Sequence, residues 1–343
     1  MRGRFGKKIL VLFMLAALLF PAVHVLQAVS PTQISLKKIF YFKDNAAGRA
    51  SLFAHSGSID ILSPQSYSID DTGALAGSIA PDILSFAKAN GIKVMPLVTN
   101  KAFSKSIAGA ILSDVGKQNS AIKSLVEEAK KNGYAGWQFD FEGMDSSMQK
   151  DYSAFVKRAG RALHQNKLTF SVAVIAQISN DPDDYPKDLW QRVIGVYDYS
   201  SLGTYADFLS LMSYDDPDSK GPISPYPWLD KVIRYATSQV PANKLSLGLP
   251  LYYWKWDDGS GKLVGVGGYS GIQNVLARKY VYGYDQTNKE PYLKYTVGKN
   301  HYTLWYENSK SVADKMTLLK SYGLQGFSAW VLGLEVPSVY QSI

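Results

Sequence analysis

The feature that most constrains this chain is a rhythm: short apolar runs alternate with amphipathic stretches from about Lys37 to the C-terminus. The runs Ile39–Phe42, Ile59–Leu62, Ile92–Val98, Trp137–Glu142, Leu168–Ile175, Phe208–Ser213, Lys244–Leu251 and Gln325–Val331 read as strands. Residues 82–90, 104–115, 119–131, 146–164, 229–239 and 311–322 read as helices, several closed by an Asn-Gly or Gly stop. The second strand is expected to stop at Ser63-Pro64. Strands alternating with helices imply an α/β fold with a parallel sheet and helical crossovers. Eight such units suit a closed (β/α)8 TIM barrel over residues 31–343, and 343 residues provide ample length. The alternative is an open, doubly wound sheet, because periodicity alone does not close a barrel. One stretch breaks the rhythm. About 55 residues rich in Tyr, Gly and Lys separate the seventh strand from the helix at Ser311, too many for a structureless loop. A small α+β insertion is expected at about 255–307, with strand-like pieces at Tyr292–Thr296 and Tyr302–Tyr306.

Composition narrows the function classes. The chain has no cysteine, so disulfides, Cys-ligated zinc and cysteine nucleophiles are excluded together. Net charge is +8, but part of the excess lies in Arg2, Arg4, Lys7 and Lys8, and no dense basic run follows. Nucleic acid is therefore not expected as a partner. The 23 Tyr and 7 Trp fit a site that stacks flat apolar ligand faces, and equally fit an ordinary aromatic core. Those four basic residues precede an apolar run, Ile9–Phe20, and Leu26-Gln-Ala28 offers a cleavage site. This is the order of an export signal over residues 1–28, either cleaved or kept as an anchor. An exported protein is expected: secreted, periplasmic or envelope-associated, with the membrane involved only through that anchor. A monomer is expected, without metal or cofactor. The acidic clusters at Asp181 to Asp184 and Asp257-Asp258 read as turns, and His55, His164 and His301 lack metal spacing.

The fourth strand holds the chemistry. Alternation puts Trp137, Phe139 and Phe141 on one side, and Gln138, Asp140 and Glu142 on the other. In a barrel the aromatic face meets helices and the polar face points inward, ending in Glu at the carboxyl end, where barrel active sites lie. Two carboxyls about 7 Å apart along one face can push their pKa values apart and leave one protonated as a general acid. A solvated edge strand would show the same pattern.

Gly136-Trp-Gln-Phe-Asp140-Phe-Glu142 resembles the fourth-strand signature of glycoside hydrolase family 18, Asp-Gly-x-Asp-x-Asp-x-Glu. Gly136, Asp140 and Glu142 match. Ala135 and Gln138 stand where the family has Asp. Further segments resemble the family's spore-cortex and peptidoglycan N-acetylglucosaminidase branch, in order along the chain. They are Lys93 to Asn100, Tyr197 to Tyr199, Asp207 to Asp215, Gly221 to Trp228, Leu247 to Tyr252, Leu304 to Glu307 and Gly326 to Gly333.

The resemblance implies a hydrolase that cuts next to N-acetylglucosamine in peptidoglycan or chitin-type glycans. Such enzymes use one protein carboxyl and the substrate's own acetamido group. By carry-over, Glu142 is the acid/base, Asp140 holds the acetamide N–H and Tyr214 its carbonyl. Asp215 supports the sugar over a Trp330 floor, with Gln138, Met212 and Tyr252 also at the substrate. The resemblance and the basic net charge favour anionic wall material. Two other readings stand beside it: a non-catalytic glycan-binding barrel, and a membrane-anchored scaffold that uses the insertion as a partner surface.

Overall fold

The computed structural model describes residues 36–343, and the export signal lies outside them. The main sheet is a closed parallel barrel. Its strands are Lys37–Phe42, Ile61–Ile69, the bent pair Lys93–Val94 and Leu97–Asn100, Gly136–Phe139, Thr169–Ile175, Phe208–Met212, Leu245–Pro250 and Gly326–Trp330. Each pairs with the next, and the last returns to the first through Lys37↔Gly326. Closure removes the open-sheet alternative.

The helices cover the outside of this barrel. Helix Val115–Asn132 is capped by Asp114, whose side chain accepts from Gly116 and Lys117 N–H, and it ends at Gly133 in the left-handed region. Helix Gln149–Gln165 buries Tyr152, Phe155, Val156, Ala159 and Leu163, a stripe at helical spacing. Phe155 meets Phe139 and Phe141, with ring centroids 5.2 and 5.7 Å away, so the aromatic face of the fourth strand does meet a helix. Inside the barrel, Ile39, Ile61, Met95 and Phe208 form an apolar plug. Above it, Ser328 Oγ lies 3.0 Å from Ser210 Oγ and 2.6 Å from Ser246 Oγ. These small hydroxyls leave the upper barrel open to larger polar groups.

Several boundaries differ from the sequence expectation. The second strand does not stop at Ser63-Pro64 but runs on to Ile69, with Pro64 opposite Phe42. The third strand breaks around Pro96, which has no N–H to give a ladder. The fourth ends at Phe139 rather than Glu142, although Asp140 N still donates to Val98 O at 3.0 Å. Helices Ala46–Ala54 and Tyr199–Tyr205 had no expectation attached.

The segment after the seventh strand folds as a separate antiparallel sheet. Spatial order is Lys262–Gly267, Tyr253–Asp257, Asn300–Trp305, Glu290–Val297, Tyr280–Asp285. Helix Tyr269–Leu276 packs Ile272 and Val275 against Leu293 and Leu304, giving the insertion its own small core.

Candidate active site

Glycines at both ends set the path of the segment that carries Asp140 and Glu142. A Cβ on Gly136 would lie 1.9 Å from Thr169 O on the next strand. Gly143 has φ +68° and would meet Phe103 O at 2.1 Å. Between them, Glu142 is held by its backbone. Asn100, fully buried at the end of the third strand, accepts from Glu142 N (3.1 Å) and donates to Glu142 O (3.0 Å). The Tyr197 hydroxyl donates to Phe141 O at 2.8 Å. Neither Asn100 nor Tyr197 was assigned a role from sequence, although both lie in segments that carry the family resemblance. Their partners are 42 and 56 residues away, so only the fold reveals the contacts.

A cleft of about 370 Å³ opens over the carboxyl ends of the strands. Asp140, Glu142, Met212, Tyr214, Asp215 and Trp330 all line it, brought together from the fourth, sixth and eighth strands and the residues that follow them. A second arm of about 670 Å³ adjoins it, shares Tyr214, Asp215 and Trp330, and adds Tyr252, Trp254 and Trp256. Tyr252 thus faces the second arm, and its hydroxyl donates to Asp215 Oδ1 at 2.5 Å. Asp215 has φ +60°, in the left-handed region that Asp tolerates better than most residues. Trp330 packs on Tyr41, with ring centroids 5.1 Å apart. Gln138 is buried beneath the cleft and is not part of its wall. Its Nε2 donates to the Tyr41 hydroxyl at 3.2 Å, and its Oε1 has no partner.

Three carboxyls at close quarters shape the electrostatics. Burial and then the charge of Glu142 hold Asp140 well above the usual carboxylate range. Burial and then the charge of Asp215 raise Glu142. Burial raises Asp215, while the Tyr252 hydrogen bond draws it back. Burial, joined at Asp140 and Glu142 by the like charge of a neighbour, pushes all three carboxyls in the same upward direction. Among the described residues lining the main cleft are Asp184, Asp216 and Asp218 as well, and no Lys, Arg or His. The basic net charge therefore does not sit at this cleft. Among the described residues no cluster of His, Cys, Asp and Glu has metal-binding geometry.

The sequence profile of Glycosyl hydrolases family 18 matches residues 40–335. The chain belongs to glycosyl hydrolases family 18. Among its relatives, the uncharacterized glycosylase YvbX of Bacillus subtilis is 25% identical over 88% of this chain and 89% of its own length. The cortical fragment-lytic enzyme of the same organism is 28% identical over 79% of this chain, which spans 64% of that enzyme. A chitinase structure from Chromobacterium violaceum superposes with a TM-score of 0.80 at 29% identity, covering 90% of this chain and 98% of that one. The family-18 chain is a glycosidase, and its (β/α)8 barrel is the fold of these neighbours.

Proposed function

We propose that this family-18 glycosidase cleaves β-1,4 bonds next to N-acetylglucosamine in peptidoglycan or chitin-type glycans, by substrate-assisted catalysis with retention. The observation that carries the reading is the convergence of Glu142, Asp140, Tyr214 and Asp215 above Trp330 in one cleft. Glu142, raised by burial and by Asp215, keeps a proton to give the glycosidic oxygen. The acetamido carbonyl of the bound sugar then attacks its own C1, the C1–O bond to the leaving sugar breaks, and an oxazolinium ion forms. Asp140 accepts the acetamide N–H and offsets the positive charge, and the Tyr214 hydroxyl donates to the acetamide oxygen. Burial holds Tyr214 well above the usual phenol range, so it stays a donor. Water attacks C1, the C1–O bond of the oxazolinium ring breaks to restore the acetamido group, and the water proton passes to Glu142, restoring the acid. The names of the relatives, a cortical fragment-lytic enzyme and a chitinase, support the substrate class.

We further propose that the chain is exported and acts alone at the cell envelope. Proton NMR of products in the first minutes of cleavage tests the mechanism. We predict the β-anomer first, with later mutarotation. Initial release of the α-anomer would show direct attack by water and exclude the acetamido route.

A further inference from the structure

A buried ionic node lies outside the cleft, in the Leu304 to Glu307 segment and its surroundings. Lys315, on helix Ser309–Ser321, is fully buried and contacts two carboxylates, Glu290 at 3.1 Å and Glu307 more closely still. Both partners are buried as well. Buried ion pairs add little net stability compared with apolar packing of the same shape. Their geometry, however, is exacting, and here one carboxylate is bonded onward. Glu290 opens a strand of the insertion, and it accepts from Ile223 N (3.0 Å) and Ser224 N (2.7 Å).

Those two N–H groups belong to the segment from Ser213 to Pro225, which follows the sixth strand and contains no regular element. The Ser224 hydroxyl donates to Ser213 O at 2.7 Å, and Asp216 N donates to Ile223 O at 3.3 Å. Tyr214 and Asp215 lie between those two anchor points. The insertion grips the segment once more, through Trp256 Nε1 donating to Gly221 O at 3.0 Å, and holds the start of the helix that follows, where Tyr226 N donates to Asn288 O at 3.0 Å. Glu290 joins this set through both carboxyl oxygens, Oε2 accepting from Ile223 N and Oε1 from Ser224 N.

We infer that Glu290, held in place by Lys315, is a positioning residue that sets Tyr214 and Asp215 against the substrate, so that the insertion acts as part of the catalytic scaffold. This rests on the reading above that Tyr214 and Asp215 touch the sugar. Glu307 meets Lys315 through Oε1, its Oε2 has no partner, and it makes no hydrogen bond to the segment.

The test compares Glu290→Gln, Ser224→Ala and Glu307→Gln in the full chain. Amide exchange of the peptide spanning 213–225 is followed by mass spectrometry, and kcat and KM are measured on chitin oligomers. Glu290→Gln is expected to speed exchange and lower kcat about tenfold, with KM changed less than about threefold. Ser224→Ala, which removes a hydroxyl and no charge, lowers kcat about threefold and keeps the inference testable if Glu290→Gln fails to fold. Glu307→Gln leaves exchange and kcat within about twofold of the parent. Adding Asp215→Asn to Glu290→Gln costs less than the product of the single effects. Parent-like exchange and kcat in both Glu290→Gln and Ser224→Ala would overturn the inference. So would equal losses in Glu290→Gln and Glu307→Gln that track melting temperature. If the parent turns over no glycan, the catalytic reading falls, while the exchange data still decide whether Glu290 orders the segment.

Discussion

At Glu142, burial and the charge of Asp215 act in the same direction, and both favour the protonated carboxyl. Asp140 sits deeper, and burial and then Glu142 hold it well above the usual carboxylate range. One of the two residues that depart from the family's fourth-strand signature, Gln138, is buried beneath the cleft. Gln138 bonds Tyr41, and one of its amide atoms is left without a partner. A carboxyl at that position would add a third buried acid to the pair. We predict that Gln138→Asp shifts the acid limb of the kcat–pH profile upward by about one unit, because a nearby like charge disfavours ionisation of Asp140. A profile that overlays the parent's would show that position 138 is uncoupled from Asp140 and Glu142.

The elements nearest the site do their work through backbone contacts. Asn100 ends the third strand and grips both backbone groups of Glu142. Replacing it with Ala leaves those groups without partners in a closed site. We predict that Asn100→Ala lowers kcat about tenfold or more and destabilises the fold by about 2–3 kcal/mol, read from turnover and denaturant unfolding. Unchanged turnover would mean that Glu142 is positioned from elsewhere. The strand and helix pattern was legible because apolar runs and amphipathic stretches dominate the barrel. Thus Gln138, Asp140 and the aromatic face of the fourth strand point as alternation requires, even though strand pairing stops at Phe139. The prolines were legible only in part. Pro96 breaks its strand, whereas Pro64 is carried through, and which outcome occurs depends on pairing with neighbours. Helix Ala46–Ala54 was hidden by its brevity; its N-cap Asn45 bonding Gly48 N–H was the available signal.

At the scale of the molecule, two bodies of chain meet at a buried ionic node, which no local pattern announces. Lys315 and Glu307 are eight residues apart, but Glu290 reaches Lys315 from the start of an insertion strand 25 residues away. Burial, partly offset by Lys315, pushes Glu307 up to about 7 from its ordinary 4.5. A carboxyl raised in the folded state contributes its stability below its ordinary pKa and loses it as pH rises through the folded value. We predict that the parent's melting temperature falls relative to Glu307→Gln between pH 5 and pH 8, an effect of up to roughly 3 kcal/mol by linkage. A constant difference between the two across that range would place the titration elsewhere. The charge distribution also has a message at this scale. The net charge of +8 suggested anionic wall material, yet the main cleft is lined by acids and no bases among the described residues. Neutral N-acetylated sugars suit that lining, while Lys43, whose ammonium lies 5.1 Å from the Trp330 ring centroid, lines the adjoining arm.

The proposal that Glu142 is the proton donor and acceptor of a glycan hydrolase stands or falls on a single comparison. Purified protein and Glu142→Gln are incubated side by side with peptidoglycan and with chitin oligomers, and released sugars are weighed by mass spectrometry. The account predicts saccharides with a new N-acetylglucosamine reducing end from the parent, on at least one substrate. It predicts release slower by about a thousandfold or more from Glu142→Gln, the loss expected when a general acid/base is removed. Equal release by the two proteins would contradict the assignment of Glu142. No release by the parent from any of these glycans would contradict catalysis itself and favour a barrel that only binds them.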